Sequence, residues 1–402
     1  MFKRILAISF IYACTAVGWF ILAGATIVRT ESQDVKLRGE VGQLWGTKQI
    51  QQAPLICCKS PAAEGVDKRY SIPLDSSDIS VDLKLEHRKK GLLWYSTYNV
   101  AFSGRYEIVN SSEKDRNITF DFRFPVQSAV YDNFRFLVGG REIQDAEIRS
   151  GSITRDIQLS AGQGESIEIS YESQGMDEWS YDFGGDVNPV KNFSLVLNTD
   201  FEEVDFPPES ISPSVKERSD NWWKLTWRYS NLLTGAKIGM ITPRKLNPGP
   251  WVSRVTATAP VSLFLFFFLL FVFTTIKKLN IHPMNYFFIG AAFFSFHLLL
   301  AYLIDHISIH LAFWICSAVS IFLVVSYMRL VVGARFAFVE VALSQLVYLV
   351  FFSYTFFFKG YTGLSITILC ISTLFIIMQV TGRVDWNKVF AKEGETPAGF
   401  EK

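Results

Sequence analysis

Five apolar runs between residues 258 and 382 limit what this chain can become more than any other feature. Pro260 to Ile276, Met284 to Ile304, Ile309 to Met328, Phe336 to Phe358 and Tyr361 to Val380 are parted only by short polar breaks. A helix crosses a bilayer with about 20 mostly apolar residues, and the lower limit is about 17. Each run reaches that length. Backbone amides inside lipid must pair within their own segment, so helices are the practical form. Buried helices of a soluble protein would carry amphipathic faces, which these runs lack. Much of the phenylalanine, 36 residues in all, falls in this block.

The breaks between the runs orient them. Lys277 and Lys278 lie in the first, Arg329 and Arg335 flank the third, and Arg383 and Lys388 follow the last run. The second holds Asp305 and His306, and the fourth only Lys359. Positive residues mark the cytoplasmic side, and here they alternate through every loop. Upstream, Lys3 and Arg4 precede a predominantly apolar stretch from Ile5 to Val28. Ala23-Gly24-Ala25 has the look of a signal-peptidase site. The run is long for a signal core, however, so an uncleaved anchor is expected with its N-terminus in the cytoplasm. Residues 29–257 are then exported, in agreement with the later loops.

From Gly91 the pattern becomes alternation. Tyr98, Val100 and Phe102; Ile118, Phe120, Phe122 and Phe124; Phe134, Phe136 and Val138; Ile167, Ile169 and Tyr171; Phe193, Leu195 and Leu197; and Trp223, Leu225, Trp227 and Tyr229 each occupy every second position. Period two puts one strand face on a core and the other in solvent. Gly139-Gly140 marks a hairpin. The expectation is an antiparallel β-sandwich-like domain. Before it, Leu44 to Gln52 reads as helical and Leu55 to Cys58 as a short strand. After it, the prolines of residues 243–251 exclude helix and central strand. Trp251 suits a membrane interface. Cys57 and Cys58 are adjacent, where a disulfide would be strained; Cys14, Cys316 and Cys370 read as apolar filler. The net charge of +1 gives no reason to expect nucleic acid as a partner.

Four stretches resemble the CreD family of bacterial inner-membrane proteins, described as cell-envelope-integrity proteins. Ile281-His282-Pro283-Met284-Asn285-Tyr286 is similar to the family's Leu-His-Pro-Met-Gln-Tyr helix start. Leu298 to His306 resembles its leucine run ending in Glu-His, and Thr381-Gly382-Arg383-Val384-Asp385-Trp386 its closing Thr-Arg-x-Ile-Asp-Trp. Arg88-Lys89-Lys90-Gly91-Leu92 resembles a basic-Gly motif before the first long strand. The family's Gln-x-x-x-Gly-Pro stands here as Gln49-Ile50-Gln51-Gln52-Ala53-Pro54, with Ala53 in place of glycine. The resemblance implies a role in envelope integrity, linked in some members to envelope stress and to tolerance of toxins or wall-active antibiotics. It implies no catalytic residues.

Polar groups inside lipid are costly and face a bundle interior or a cavity. Glu340, Ser344 and Tyr348 fall at i, i+4 and i+8, with Arg335 within reach of the carboxylate. They read as an ion or proton site, or as interhelical hydrogen bonds with an interfacial ion pair. His297, near mid-helix, reads as a relay partner for Glu340 or as a packed neutral imidazole. Asp305, His306 and His310 form an outer-surface cluster, either a metal site or a wet titratable cap. Ser365, Ser372 and Gln379 recur every seven residues as a packing seam. His-Glu-x-x-His, Gly-x-Ser-x-Gly and phosphate-binding Gly-Lys-Ser/Thr motifs are absent from the sequence.

The expected molecule is an α+β membrane protein of the bacterial inner membrane. An N-terminal transmembrane helix (1–28) precedes a periplasmic β-rich domain (29–242), a Pro-rich connector (243–257), a five-helix transmembrane bundle (258–382) and a cytoplasmic tail (383–402). Both termini are cytoplasmic. The expected function is non-enzymatic, with no cofactor and no metal; the partners are the lipid bilayer and a periplasmic or envelope protein. No oligomeric state follows. The alternative is an ion- or proton-coupled transporter using His297 and Glu340, though no inverted repeat supports it. A membrane enzyme acting on a lipid or wall precursor stands third, with no motif behind it.

Overall fold

The computed structural model describes residues 2–60, 68–91, 93–144, 147–184, 188–219, 222–358 and 360–382. Lys359, Lys388, Leu92, the Arg383–Trp386 part of the closing motif and the tail 383–402 lie outside them. The chain forms two compact units, Met1–Asp34 with Asn247–Lys402, and Val35–Leu246.

Helix α1 spans Phe2–Trp45, so the helical boundary expected at residue 28 moves to the far end of a polar extension. No proline interrupts that extension. Leu37, Val41 and Trp45, spaced by four, lie along one face. They pack with Leu93, Tyr95 and Met176 in a small core of the β unit. Gly46 then ends the helix at φ +89°, and a Cβ there would fall 2.1 Å from the Gln174 carbonyl oxygen. Only glycine meets both conditions. The chain beyond it is extended, which corrects the helical reading of Leu44 to Gln52.

The other helices are α2 (Pro248–Ile276), α3 (Pro283–Leu303), α4 (Ile309–Val332), α5 (Ala334–Phe357) and α6 (Thr362–Thr381). Among the described residues, six helices are long and apolar enough to cross a membrane. The start of α2 corrects the reading of 243–251 as helix-free throughout. Pro248 and Pro250 lie in its first turn, where a missing N–H removes no intrahelical bond and φ is already helical. Trp251 is consequently buried, its ring 4.4 Å from that of Phe357. In α5, π-helical turns occupy Ala337–Val341 and Leu346–Phe351. Helix α6 buries only Thr373 and Ile377 and leaves Leu364, Ile368, Ile371 and Phe375 exposed. Ser372 and Gln379 are exposed too, so the seven-residue seam expected there does not form.

Sixteen strands are described. The first eight are β1 (Gln49–Gln52), β2 (Leu55–Ser60), β3 (Lys68–Ile72), β4 (Ser76–Lys90), β5 (Leu93–Val109), β6 (Arg116–Arg123), β7 (Tyr131–Val138) and β8 (Arg141–Glu142). Then come β9 (Glu147–Arg149), β10 (Ser152–Leu159), β11 (Gly164–Met176), β12 (Glu178–Asp182), β13 (Asn188–Thr199), β14 (Val215–Ser219), β15 (Trp222–Thr234) and β16 (Ile238–Ile241). They form an eight-stranded sheet, β14-β15-β13-β4-β5-β11-β7-β8, a five-stranded sheet, β3-β2-β6-β10-β9, and a three-stranded sheet, β1-β12-β16. Two pairings, β1 with β12 and β13 with β4, are parallel, a correction to the purely antiparallel expectation.

One core joins the sheets. Val81, Val100, Phe102, Ile169 and Leu195 of the large sheet bury with Ile118, Phe120 and Phe122 of the five-stranded sheet and Trp179 and Met240 of the small one. Phe120 stacks on Phe136 at 6.3 Å, and Phe102 on Tyr171 at 5.0 Å. Burying each such ring stabilises the fold by about 1.5–3 kcal/mol. Gly139 and Gly140, with φ of +57° and +75°, close the β7–β8 hairpin. In the Gln49–Pro54 stretch, Ala53 stands where the resembled motif has glycine. Its φ is not positive and its N–H donates to Asp182 O at 2.8 Å, so the backbone there does not require glycine.

Candidate functional site

Glu340, Ser344 and Tyr348, the polar face expected on α5, are each tied to a neighbour. Glu340 lies in the first π-helical segment of α5, and its carboxylate accepts from Lys277, just past the end of α2. The ion-pair partner is therefore Lys277 and not the expected Arg335. The Ser344 hydroxyl donates to Glu340 O at 2.6 Å. The Tyr348 hydroxyl pairs with Thr373 Oγ1 of α6 at 2.7 Å, and its carbonyl accepts from Ser262 of α2. That carbonyl sits in the second π-helical segment, where relaxed intrahelical spacing leaves room for an outside donor. Gln345 Nε2 reaches Ser320 Oγ of α4 at 3.0 Å, and Ser320 donates to Ala292 O of α3 at 2.8 Å. The outcome is a set of cross-links between helices.

His297 is 1% exposed. Its ring meets those of Trp19 at 5.6 Å and Phe296 at 4.8 Å, both nearly perpendicular. Neither ring nitrogen makes a hydrogen bond of ordinary geometry, and the nearby polar atom is the Phe293 carbonyl on the same helix. The structure does not bring His297 to Glu340. Glu340 is tied to Lys277, just ahead of α3, whereas His297 stands roughly 20 Å of helical rise beyond the α3 start at Pro283.

The outer cluster is also divided. Asp305 pairs with Arg29 at 3.2 Å, and Arg29 donates to Ala301 O at 2.5 Å. His310 stacks on Phe357 at 4.7 Å. His306 lies in the turn before α4, so the helical spacing that would align it with His310 does not apply. Among the described residues, no group of three or more His, Cys, Asp or Glu is placed to hold a metal. Cys57 and Cys58 are free thiols on successive residues of β2, Cys58 buried and Cys57 half-buried.

The β unit holds a groove of about 660 Å³. Its floor is the solvent side of β4, β5 and β11, and its walls are residues 42–47 and 126–132. Asp82, Asp132 and Glu172 line it with a single cation, Lys84. Asn198 donates to Asp82 Oδ1 at 2.7 Å. The closing turn of α1 forms one wall, so the negative end of a helix dipole adds to the carboxylates. Salt bridges hold that turn: Lys90 to Glu40 and Lys48 to Glu178, both 2.7 Å, and Arg38 to Asp177. Beneath, Gln49 Nε2 donates to Ser173 Oγ at 3.1 Å and Gln174 O at 2.8 Å, fixing the β11 edge of the floor. Burial pushes the Tyr131 phenol up to about 12, so it stays neutral and donates to Val126 O at 2.8 Å, bracing the 126–132 wall. Burial likewise holds Tyr98 and Tyr171 well above the usual phenol range, and both act as neutral donors.

Sequence reasoning treated Lys277 only as a topology marker and passed over Arg29, Asp82, Asp132 and Glu172. Asp82 and Lys84 alternate with buried Val81 and Leu83, which marks them as solvent-facing but not as converging.

No curated protein matches the chain. Among solved structures, a Legionella pneumophila protein provisionally described as a nutrient binding protein aligns at 11% identity and TM-score 0.30, over 53% of this chain and 75% of that one. An M1 zinc metallopeptidase from Deinococcus radiodurans aligns at 8% identity and TM-score 0.27, over 42% of each chain. Likenesses this weak carry no argument about fold or function. Residues 246–387 match the family model of the inner membrane protein CreD, and this span holds α2 to α6. Over α2 to α6, then, the chain is similar to the CreD family of inner membrane proteins.

Proposed function

We propose that this is a multi-pass, non-enzymatic inner-membrane protein that supports cell-envelope integrity or the envelope-stress response. Its β unit faces the periplasm and binds an envelope partner. The supporting observation is the groove over β4, β5 and β11, a concave polar surface held by salt bridges and buried hydrogen bonds. Concavity with a few convergent polar groups is the usual form of a binding site. The orientation follows Lys277, Lys278, Arg329 and Arg335, all on the side of the N-terminus. An uncleaved anchor fits the burial of Trp19 and Ala23 in the helical unit, because cleavage after Ala25 would remove both. Ion coupling has less support, since Glu340 is already paired with Lys277 and His297 is enclosed by aromatic rings.

Complementation of a deletion strain under envelope challenge separates the readings. Glu340→Gln with His297→Ala, inserted at the wild-type level, is expected to rescue. Asp132→Lys with Glu172→Lys, which reverses the groove's charge from solvent-facing positions, is expected to lose rescue by at least about tenfold in plating. The reverse pattern refutes the proposal and moves attention to ion flux.

A further inference from the structure

The helical unit contains a recess of its own, lined by aromatic and aliphatic side chains. It is a groove of about 280 Å³ between α1 and α2, with Ile8 and Tyr12 on one side and Phe264, Phe267, Phe268 and Phe271 on the other. The Phe264 and Phe268 rings lie parallel at 6.1 Å and form a flat wall. Tyr12 closes one end by donating to Pro260 O at 3.1 Å. At the other end stands Arg4, its guanidinium 6.0 Å from the Phe271 ring centroid. Among the described residues Arg4 Nε and Nη2, both shielded from solvent, make no hydrogen bond of ordinary geometry, and the nearby polar group is the neutral Tyr286 hydroxyl.

A neutral hydroxyl does not neutralise a guanidinium, and a partly shielded charge without a counter-charge is costly, so the place favours an anion. Within the described helical unit the acidic residues are Glu31, Asp34, Asp305 and Glu340. Asp305 is held by Arg29 and Glu340 by Lys277. Glu31 and Asp34 lie farther along α1 by roughly 40 Å or more of helical rise. None of the four forms an ion pair with Arg4, so among the described residues of this unit no carboxylate supplies its counter-charge. A free phosphate would satisfy the guanidinium but leave the aromatic groove unused. A phospholipid satisfies both, since an arginine fork matches phosphate oxygens bidentately and the groove accepts a hydrocarbon chain. Basic pockets between transmembrane helices hold anionic headgroups in this way.

We propose that the α1–α2 groove binds one acidic glycerophospholipid, with its headgroup at Arg4 and an acyl chain along Tyr12, Phe264 and Phe268. Given the orientation above, that lipid belongs to the cytoplasmic leaflet. The site would fasten the anchor helix to the bundle by a ligand that only the membrane supplies.

The test uses the full-length protein in detergent, titrated with phosphatidylglycerol or phosphatidylcholine of matched chain length and read by native mass spectrometry. One phosphatidylglycerol is expected to be retained in preference to phosphatidylcholine. Arg4→Gln should reduce that preference about fivefold, the value of one basic residue at a membrane surface, and Arg4→Lys should keep most of it. Ser9→Phe fills the groove from its open side with the guanidinium intact, and should also lower retention. Equal retention of the two lipids by the wild type overturns the proposal, as does an undiminished preference in Arg4→Gln. If Arg4→Gln fails to insert, Ser9→Phe decides: loss of phosphatidylglycerol supports the site and unchanged retention removes it.

Discussion

The two units handle buried polar groups in opposite ways. In the helical unit, hydroxyls mostly bond one turn back on their own helix: Thr26 to Leu22 O, Ser317 to Phe313 O and Thr373 to Leu369 O, at 2.7–2.8 Å. In the β unit, buried polar side chains reach far along the chain. Gln51 Nε2 donates to Arg123 O at 3.0 Å, Tyr171 donates to Gln51 Oε1 at 2.7 Å, and Asn110 Nδ2 reaches Leu159 O at 3.0 Å. A hydroxyl on a membrane helix always has its own helix's carbonyls in range, so it is satisfied without choosing a partner. A glutamine between sheets is satisfied only if the right strands arrive, so it helps to specify the fold. The helical unit's long-range links, among them Gln345 to Ser320, Tyr348 to Thr373 and Ser320 to Ala292 O, are the places where it behaves like the other.

The contrast is open to measurement. The largest effect is expected from Phe120→Ala, which empties the contact between two sheets and should destabilise the β unit by about 3–5 kcal/mol. Urea unfolding of the full chain, followed by tryptophan fluorescence, reads it; an unchanged midpoint would deny that the sheets share one core. Gln51→Ala should cost about 1–3 kcal/mol, because the Tyr171 hydroxyl loses its acceptor and the Arg123 carbonyl its donor. Tyr171→Phe should then cost less in the Gln51→Ala background than in the wild type, and strict additivity would show that the two do not act as a pair. Ser317→Ala should cost no more than about 0.6 kcal/mol in a membrane unfolding assay. A loss approaching that of Gln51→Ala would erase the distinction between the units.

Local features of the fold were legible. The apolar runs became helices because length and hydropathy act residue by residue. The alternating residues Val100 and Phe102, Ile118 and Phe120, and Leu195 and Leu197 became core because period two needs no knowledge of the partner strand. The failures have a common cause. Gln49–Gln52 read as helix, yet it is a strand because Trp179–Asp182, distant in sequence, supplies a parallel neighbour. Pro248 and Pro250 read as breakers because their place in a first turn depends on where the helix starts. In the candidate sites, polar residues were identified but not their partners. Glu340 was matched with Arg335 by proximity in sequence and met Lys277 instead.

The sequence by itself determined that the chain has a membrane block and a strand-rich segment, because those properties are periodic and local. Tertiary structure alone decided which charges neutralise each other, that Asp82, Asp132 and Glu172 converge on one groove, and that Arg4 meets no carboxylate among the described residues at the end of an aromatic recess. Each of these depends on the spatial meeting of residues separated in sequence. Periodicity shows which face of an element is buried, but only packing shows what that face meets.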